Sequence, residues 1–147
     1  MKDTAKAATK YFLEGFNCAE SSLLALSDLK KINCRYIPKV ASGFGGGVGR
    51  YGEICGALTG SIMALGLLNG RGRSQGSDKD AKEKIYKIVE NYLKEFEKKF
   101  GSIRCIDLID CDLKTPEGQK KARDKNVHKN ICAGIVEFAV SEAARLL

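Results

Sequence analysis

The chain has 147 residues, 44% hydrophobic and 29% charged, which is enough to bury the core of one globular domain. Its 25 Lys and Arg against 18 Asp and Glu give a formal net charge of +7. Acidic residues are interleaved with the basic ones and no base-stacking motif accompanies them, which argues against nucleic-acid binding. We see no apolar signal segment, and the longest apolar run, residues 54–68, is too short to span a bilayer, so we expect no membrane association and a cytoplasmic protein whose thiols are kept reduced.

Local signals predict three helices in the first 44 residues. The first helix ends near Gly15 and carries apolar residues about one turn apart, at Ala5, Ala8, Phe12, Leu13 and Phe16. Asn17 followed by Glu20 resembles a capping box, so a second helix is expected from Cys18. Pro38 suits the first turn of a short third helix.

A glycine-rich loop is predicted at residues 43–52. Gly47, Gly49 and Gly52 match G-x-G-x-x-G, but a dinucleotide site needs a strand before this motif, whereas a short helix precedes it here. No Gly-Lys-Ser/Thr follows either, so a P-loop is also disfavoured. The loop is therefore not expected to bind phosphate.

An almost wholly apolar helix is predicted to follow this loop and to end at Gly70. Within it Gly56, Gly60 and Ala64 recur every four residues, and small residues at that spacing let a second helix approach closely. The contact could lie within the chain or across a dimer interface. We predict a homodimer on this basis.

The second half of the chain also has helical patterning. After a polar linker, Ser77 or Asp78 can cap the longest helix, which covers residues 81–100 with apolar residues at steps of three and four. A short helix is predicted after Ser102 as its cap, and another after Thr115. A final helix directs apolar residues to the core at Val127, Ile131, Ile135, Phe138 and Ala139. The predicted fold is all-α, a compact multi-helix bundle with a glycine-rich loop, in a single domain over residues 1–147.

Four of the six cysteines are predicted to lie at or near helix beginnings: Cys18, Cys55, Cys105 and Cys132. A helix start offers unpaired N–H groups and a partial positive charge, both of which favour a thiolate. If these starts converge, they form a pocket suited to a bound metal, an iron–sulfur centre or a thiolate cluster. Cysteine is also a common small core residue, but four in equivalent positions favour chemistry over packing. Cys34 and Cys111 lie near helix ends and gain nothing from this effect.

The same residues resemble a known family. Cys18 in "FNCAES", the segment "CGALTG" from Cys55, and the later Cys105 and Cys132 closely resemble the C_GCAxxG_C_C family of redox-active proteins over nearly the whole chain. The resemblance implies that these cysteines are the four shared by the family. A similar domain occurs in split-Soret cytochromes, where an iron–sulfur site accompanies haems. This chain has no C-x-x-C-H segment, so we do not expect attached haem.

The leading hypothesis is a redox or electron-transfer protein with an iron–sulfur cluster held by the four cysteines. Gly52 and Gly56, on either side of Cys55, are expected to belong to the cofactor site, where backbone N–H groups reach the sulfurs. One alternative is a structural zinc site, because four thiolates complete a tetrahedral zinc shell. Another is a metal-free pair of thiols that cycles to a disulfide. No arrangement typical of a conventional enzyme is visible, and His128, the only histidine, is interpreted as a surface residue.

Overall fold

The computed structural model describes residues 1–147 and contains eight α-helices and no strand. The helices are α1 (Lys2–Leu13), α2 (Cys18–Leu29), α3 (Gly45–Val48), α4 (Gly56–Asn69), α5 (Lys79–Phe100), α6 (Cys105–Ile109), α7 (Pro116–Asp124) and α8 (Ala133–Leu146). Two 3-10 helices, Lys39–Phe44 and Arg73–Gln75, and a π-helical turn, His128–Cys132, complete the regular structure. The all-α prediction is confirmed.

Helix α2 lies at the centre of the fold, against α1, α4 and α8. The fully buried side chains of this core come from these elements: Leu23 and Leu26 of α2, Leu58 and Leu65 of α4, and Val136 and Val140 of α8. Burial of branched apolar side chains of this kind contributes roughly 1.5–3 kcal/mol each. The packing of α2 against α4 therefore sets the distance between the N-termini of these two helices.

The close approach of α2 and α4 depends on the small residues of α4. A Cβ on Gly60 would overlap the main-chain carbonyl of Ala19 in α2, and one on Gly56 would overlap the sulfur of Cys18. The small-residue face is thus used within the chain, where only glycine permits this separation. The homodimer predicted from that face stays a prediction, and it would need another surface.

The predicted longest helix is confirmed as α5, which Asp78 caps by accepting a hydrogen bond from the Ala81 N–H at 2.9 Å. Its buried side chains are Tyr92 and Phe96. Tyr92 also donates its hydroxyl proton to the carbonyl oxygen of Ala139 at 2.9 Å, which attaches α5 to α8. The aromatic residues therefore fix the C-terminal half of α5 against the core.

Some local predictions were wrong in detail. The helix expected after Ser102 begins only at Cys105, because residues up to Arg104 are extended and pair with another segment. Leu13, Phe16 and Ile131 fit the apolar spacing but are exposed, at 52%, 38% and 36%. Phe16 follows the end of α1, and Ile131 lies in the π-helical turn, where the wider spacing rotates side chains off the helical stripe.

Candidate functional site

Four cysteines from four separate segments line one cavity of about 520 Å³. They are the predicted Cys18, Cys55, Cys105 and Cys132, and we call this space the four-cysteine cavity. Most of the remaining wall is apolar and is formed by Phe12, Phe16, Leu108, Ile109, Leu113, Val127 and Ile135. Polar side chains in the lining come from Asn17, Arg123, Asn126 and His128. The structure thus brings together thiols that are far apart in the chain around a largely apolar space.

The position of Cys18 follows from the capping box predicted in the sequence. Asn17 Oδ1 accepts hydrogen bonds from the N–H groups of Ala19 and Glu20 at 2.9 Å, and Glu20 Oε2 accepts one from the Asn17 N–H at 2.9 Å. Asn17 Nδ2 also donates to the Ser42 carbonyl at 3.0 Å, which ties the cap to the 3-10 helix. Cys18 is therefore held as the first residue of α2.

Cys55 and Cys105 are adjacent because two extended segments pair beside the cavity. Ile54 and Arg104 form an isolated antiparallel bridge. The Cys55 N–H donates to the Ile103 carbonyl at 2.9 Å, and the Cys105 N–H donates to the Glu53 carbonyl at 2.7 Å. Glu53 and Arg104 add an exposed ion pair at 3.4 Å. Main-chain pairing over fifty residues of chain thus places two helix starts, those of α4 and α6, side by side.

The glycine-rich loop passes directly behind the thiols. Gly46 and Gly47 have φ values of +65° and +67°, a left-handed conformation that costs other residues about 1–2 kcal/mol. A Cβ on Gly47 would lie 2.7 Å from the Cys105 Cβ and 2.6 Å from the main chain of Glu53. Glycine here allows the backbone to touch the side of Cys105, and it brings the Gly46 N–H to the sulfur of Cys18.

Cys132 reaches the cavity from the π-helical turn that precedes α8. Because this turn already satisfies helical hydrogen bonds, Cys132 does not lie at an open helix start as Cys18 does. The same turn begins with His128, whose ring stacks on that of Phe12 with centroids 3.8 Å apart. His128 Nε2 lies 3.2 Å from the Phe12 carbonyl, and since a carbonyl only accepts, this nitrogen is the donor.

Burial dominates the acidity of all four cavity thiols. It raises the pKa of Cys105 and of Cys132 to about 12, and nearby thiolates add to both shifts. Burial also raises the pKa of Cys18, although N–H groups of Gly46, Ala19 and Gly56 lower it, and it raises that of Cys55 well above the usual range.

The expectation that helix starts would favour the thiolate is therefore wrong as a net effect. The N–H groups do act in that direction on Cys18 and Cys55, but the loss of hydration outweighs them. All six cysteines are free thiols, so none of the four cavity cysteines is in a disulfide. A bound cation would invert the balance, because coordination to a metal deprotonates a thiol outright.

The other predicted residues take supporting positions. Gly56 lies against Cys18, and its N–H group faces that sulfur. Gly52 lies behind α6 and not in the cavity lining, with its carbonyl accepting from the Ile106 N–H at 3.1 Å. Cys34 is not among the residues that line the cavity.

Sequence reasoning missed one residue of the site, Gly46, which faces Cys18. Its signal was the run of glycines, which favours left-handed backbone conformations. Cys111, for which the sequence left open a spare ligand, a resolving thiol or a packing residue, is buried beside Cys105. His128 is exposed, as the sequence indicated, and it also borders the cavity.

The donor set fits a cofactor that binds soft thiolate ligands. Four cysteines around one cavity match an iron–sulfur cluster or zinc in ligand type. As the side chains stand, no group of three or more His, Cys, Asp or Glu residues is arranged to hold a single metal ion.

No helix has the length and apolarity needed to cross a membrane.

Comparison with known proteins adds a family and a relative. The family model described as "Putative redox-active protein (C_GCAxxG_C_C)" matches residues 16–146. An uncharacterized protein of Archaeoglobus fulgidus is 33% identical over 114 residues, which cover 74% of this chain and 76% of the relative. No solved structure matches the chain.

Proposed function

Because the chain belongs to the C_GCAxxG_C_C family of redox-active proteins, we propose that it transfers electrons through an iron–sulfur cluster bound in the four-cysteine cavity. The observation that carries this proposal is the meeting of four cysteines, from segments spread over more than a hundred residues, around one apolar space. When bound, such a cluster supplies a one-electron couple whose potential depends on its hydrogen bonds and on its exposure to solvent.

A single zinc ion would require the four cysteine side chains to move closer together than they stand. Four sulfurs around one zinc lie within about 4 Å of each other, because each is about 2.3 Å from the metal. The side chains have no such arrangement around one point, and the cavity is about 520 Å³. A two-iron cluster needs only two sulfurs at each iron, so it suits a wider set of thiols.

The main chain of the site is suited to stabilising thiolate sulfur. Backbone N–H groups of Gly46, Ala19 and Gly56 face the sulfur of Cys18, and that of Ala57 faces the sulfur of Cys55. Hydrogen bonds to ligating sulfur reduce its negative charge and raise the reduction potential of the centre.

A metal-free dithiol function is less well supported by these thiols. The thiolate is the nucleophile in disulfide exchange, and a thiol with a pKa of about 12, such as Cys105 or Cys132, is almost fully protonated at neutral pH. The thiols therefore suit a metal centre, which supplies the positive charge, better than they suit exchange without metal.

Anaerobic purification with quantification of iron, acid-labile sulfide and zinc tests the proposal. We expect equal amounts of iron and sulfide, with absorbance between roughly 400 and 450 nm from charge transfer between thiolate and iron. Cys55→Ser should abolish iron retention, while Cys34→Ser, outside the cavity lining, should leave it intact as the matched control. Stoichiometric zinc without sulfide would instead establish the structural zinc site, and loss of two thiols on mild oxidation without metal would establish the dithiol.

Two further predictions accompany the proposed function. A cytoplasmic location suits it, because free thiols persist where glutathione and thioredoxin keep them reduced. A homodimer is tested by light scattering of the loaded protein at micromolar concentration, where a monomeric mass would contradict it.

A further inference from the structure

Basic residues are concentrated in one segment beside the four-cysteine cavity. Residues 114–129 contain six Lys or Arg residues and two acids, so this segment carries +4 of the net charge of +7. It comprises α7 and the start of the π-helical turn, and five of its residues line the cavity: Ala122, Arg123, Asn126, Val127 and His128. More than half of the net positive charge of the chain therefore lies beside this one site.

Most of these cations have no acidic partner. Lys120 is paired with Asp124 at 2.6 Å, and Lys121 is paired with Asp110 at 2.9 Å. No ion pair is formed by the remaining four: Lys114, Arg123, Lys125 and Lys129. The acids of residues 110–129 that form no ion pair are Asp112 and Glu117. The segment thus retains a surplus of unpaired positive charge, which attracts anionic groups.

A further cation and an exposed aromatic ring border another side of the cavity. A Cβ on Gly46, which lines the cavity, would lie 3.1 Å from Arg50 Cγ and 3.4 Å from Leu113 Cδ1. Arg50 is exposed and forms no ion pair. Next to Leu113, Lys114 Nζ lies 5.8 Å from the ring centre of Tyr51, which is 65% exposed. This edge of the cavity therefore combines positive charge with exposed aromatic surface.

We propose that the mouth of the four-cysteine cavity is a docking surface for an acidic protein that exchanges electrons with the bound centre; this inference rests on the proposed iron–sulfur function. We call Arg50, Lys114 and Arg123 the basic rim, and Arg123 is the only Lys, Arg, Asp or Glu residue in the cavity lining. Complementary charge steers a partner towards such a surface and sets its orientation. One electron passes between the two centres, so that one is oxidised as the other is reduced and no bond forms.

The side chains at the mouth favour a protein over a small anion or a nucleic acid. Tyr, Phe and Arg are enriched in protein–protein interfaces, and Tyr51 and Phe16, which lines the cavity, are both exposed. A small-molecule site holds its ligand in a concave space with a few enclosed polar groups, whereas Arg50 and Arg123 are exposed. Acids within the basic segment, Glu117 and Asp124, would repel the continuous phosphate backbone of a nucleic acid.

The experiment measures the binding of three probes to the protein after anaerobic reconstitution with ferrous iron and sulfide. The probes are a plant-type ferredoxin as an acidic redox protein, a basic c-type cytochrome, and a short DNA duplex. Titration calorimetry gives each Kd at about 0.05 M and about 0.5 M salt. The variants are Arg50→Glu, Lys114→Glu and Arg123→Glu. Lys84→Glu is the matched control, because Lys84 is an exposed residue of α5 outside the cavity lining and forms no ion pair. Iron and sulfide per chain are measured on every protein.

We expect the ferredoxin to bind most tightly of the three probes at low salt, and its Kd to rise at least about ten-fold at high salt. Each charge reversal in the basic rim should raise this Kd about five- to ten-fold, because it replaces an attraction by a repulsion at the contact. Lys84→Glu makes the same change in net charge and should raise it less than about two-fold.

The inference is overturned if the ferredoxin does not bind at low salt, or if the cytochrome or the duplex binds as tightly. It is also overturned if Lys84→Glu weakens binding as much as the basic-rim variants, since net charge alone would then suffice. Loss of iron from every variant that binds more weakly would overturn it too, because those cations would then serve the bound centre. Absence of iron and sulfide from the unaltered protein would refute the proposed function itself, whereas an iron-loaded protein that does not bind the ferredoxin refutes only the docking surface.

Discussion

Replacement of Gly60 by alanine tests whether the contact between α2 and α4 determines the stability of the fold. The added Cβ would lie 2.8 Å from the carbonyl carbon of Ala19 and 2.9 Å from its Cα, where ordinary contacts of carbon atoms are about 3.5–4.0 Å. The two helices must therefore separate by roughly 1 Å, because main-chain atoms cannot rotate away as a side chain can. Gly66 provides the matched control, since it lies in the same helix and a Cβ there meets nothing within 4 Å.

The two substitutions should change stability in opposite directions. Overpacking costs about 1–3 kcal/mol, and with main-chain atoms in the way we expect Gly60→Ala to lose about 2 kcal/mol net of its gain in helix propensity. Gly66→Ala should gain about 0.5–1 kcal/mol from propensity alone. For a chain of this length these values correspond to a fall in Tm of about 4–8 °C and a rise of about 1–4 °C. Thermal unfolding of the cluster-free proteins, followed by far-ultraviolet circular dichroism, measures both.

A Gly60→Ala protein as stable as Gly66→Ala would refute this reasoning, because it would mean that α2 and α4 can separate at no cost. The substitution should also reduce iron retention, since Ala19 directly follows Cys18. Full iron retention together with a lowered Tm would show that the cavity tolerates the displacement of α2.

Three further predictions concern the elements around the cavity. Asn17→Ala should lower the free energy of unfolding by about 0.5–2 kcal/mol in urea denaturation, because it removes the cap of α2, and Asn17→Asp should recover most of it. Gly47→Ala should lower the free energy of unfolding clearly more than Gly101→Ala, for which we expect a loss of about 1–2 kcal/mol. Both residues have positive φ, but only at Gly47 would the added Cβ overlap Cys105 and Glu53. Equal losses in the two variants would contradict this contact. The cluster-free protein should lose stability as pH rises from 9 to about 12, since over this range Cys105 and Cys132 keep their protons when folded and lose them when unfolded. The free energy of unfolding should fall by at most about 1.4 kcal/mol per pH unit for each thiol. The Cys105→Ser/Cys132→Ser variant is the control. Urea midpoints that do not change over this pH range relative to that control would contradict the raised pKa values.

The amino-acid sequence alone determined the helices and their main boundaries, because these depend on short-range interactions. The spacing of apolar residues over 81–100 and the cap at Asp78 predicted α5, and the pair Asn17 and Glu20 predicted the start of α2. Each signal acts within one or two helical turns, where hydrogen bonds and side-chain contacts are local. The placement of Cys18 and Cys55 at helix starts was predictable for the same reason.

Only the tertiary structure decided where those helix starts meet and how their thiols ionise. Cys55 and Cys105 are neighbours through the pairing of Ile54 with Arg104, and Cys111 reaches its place through a turn held by a side chain of another helix. The pKa values of the thiols are raised, whereas the sequence predicted that they would be lowered, for a related reason. The N–H groups at a helix start act locally, but the loss of hydration depends on every element that closes the cavity. Contacts between distant segments and the burial they produce carry no short-range signal in the chain, so they emerge only when the helices pack together.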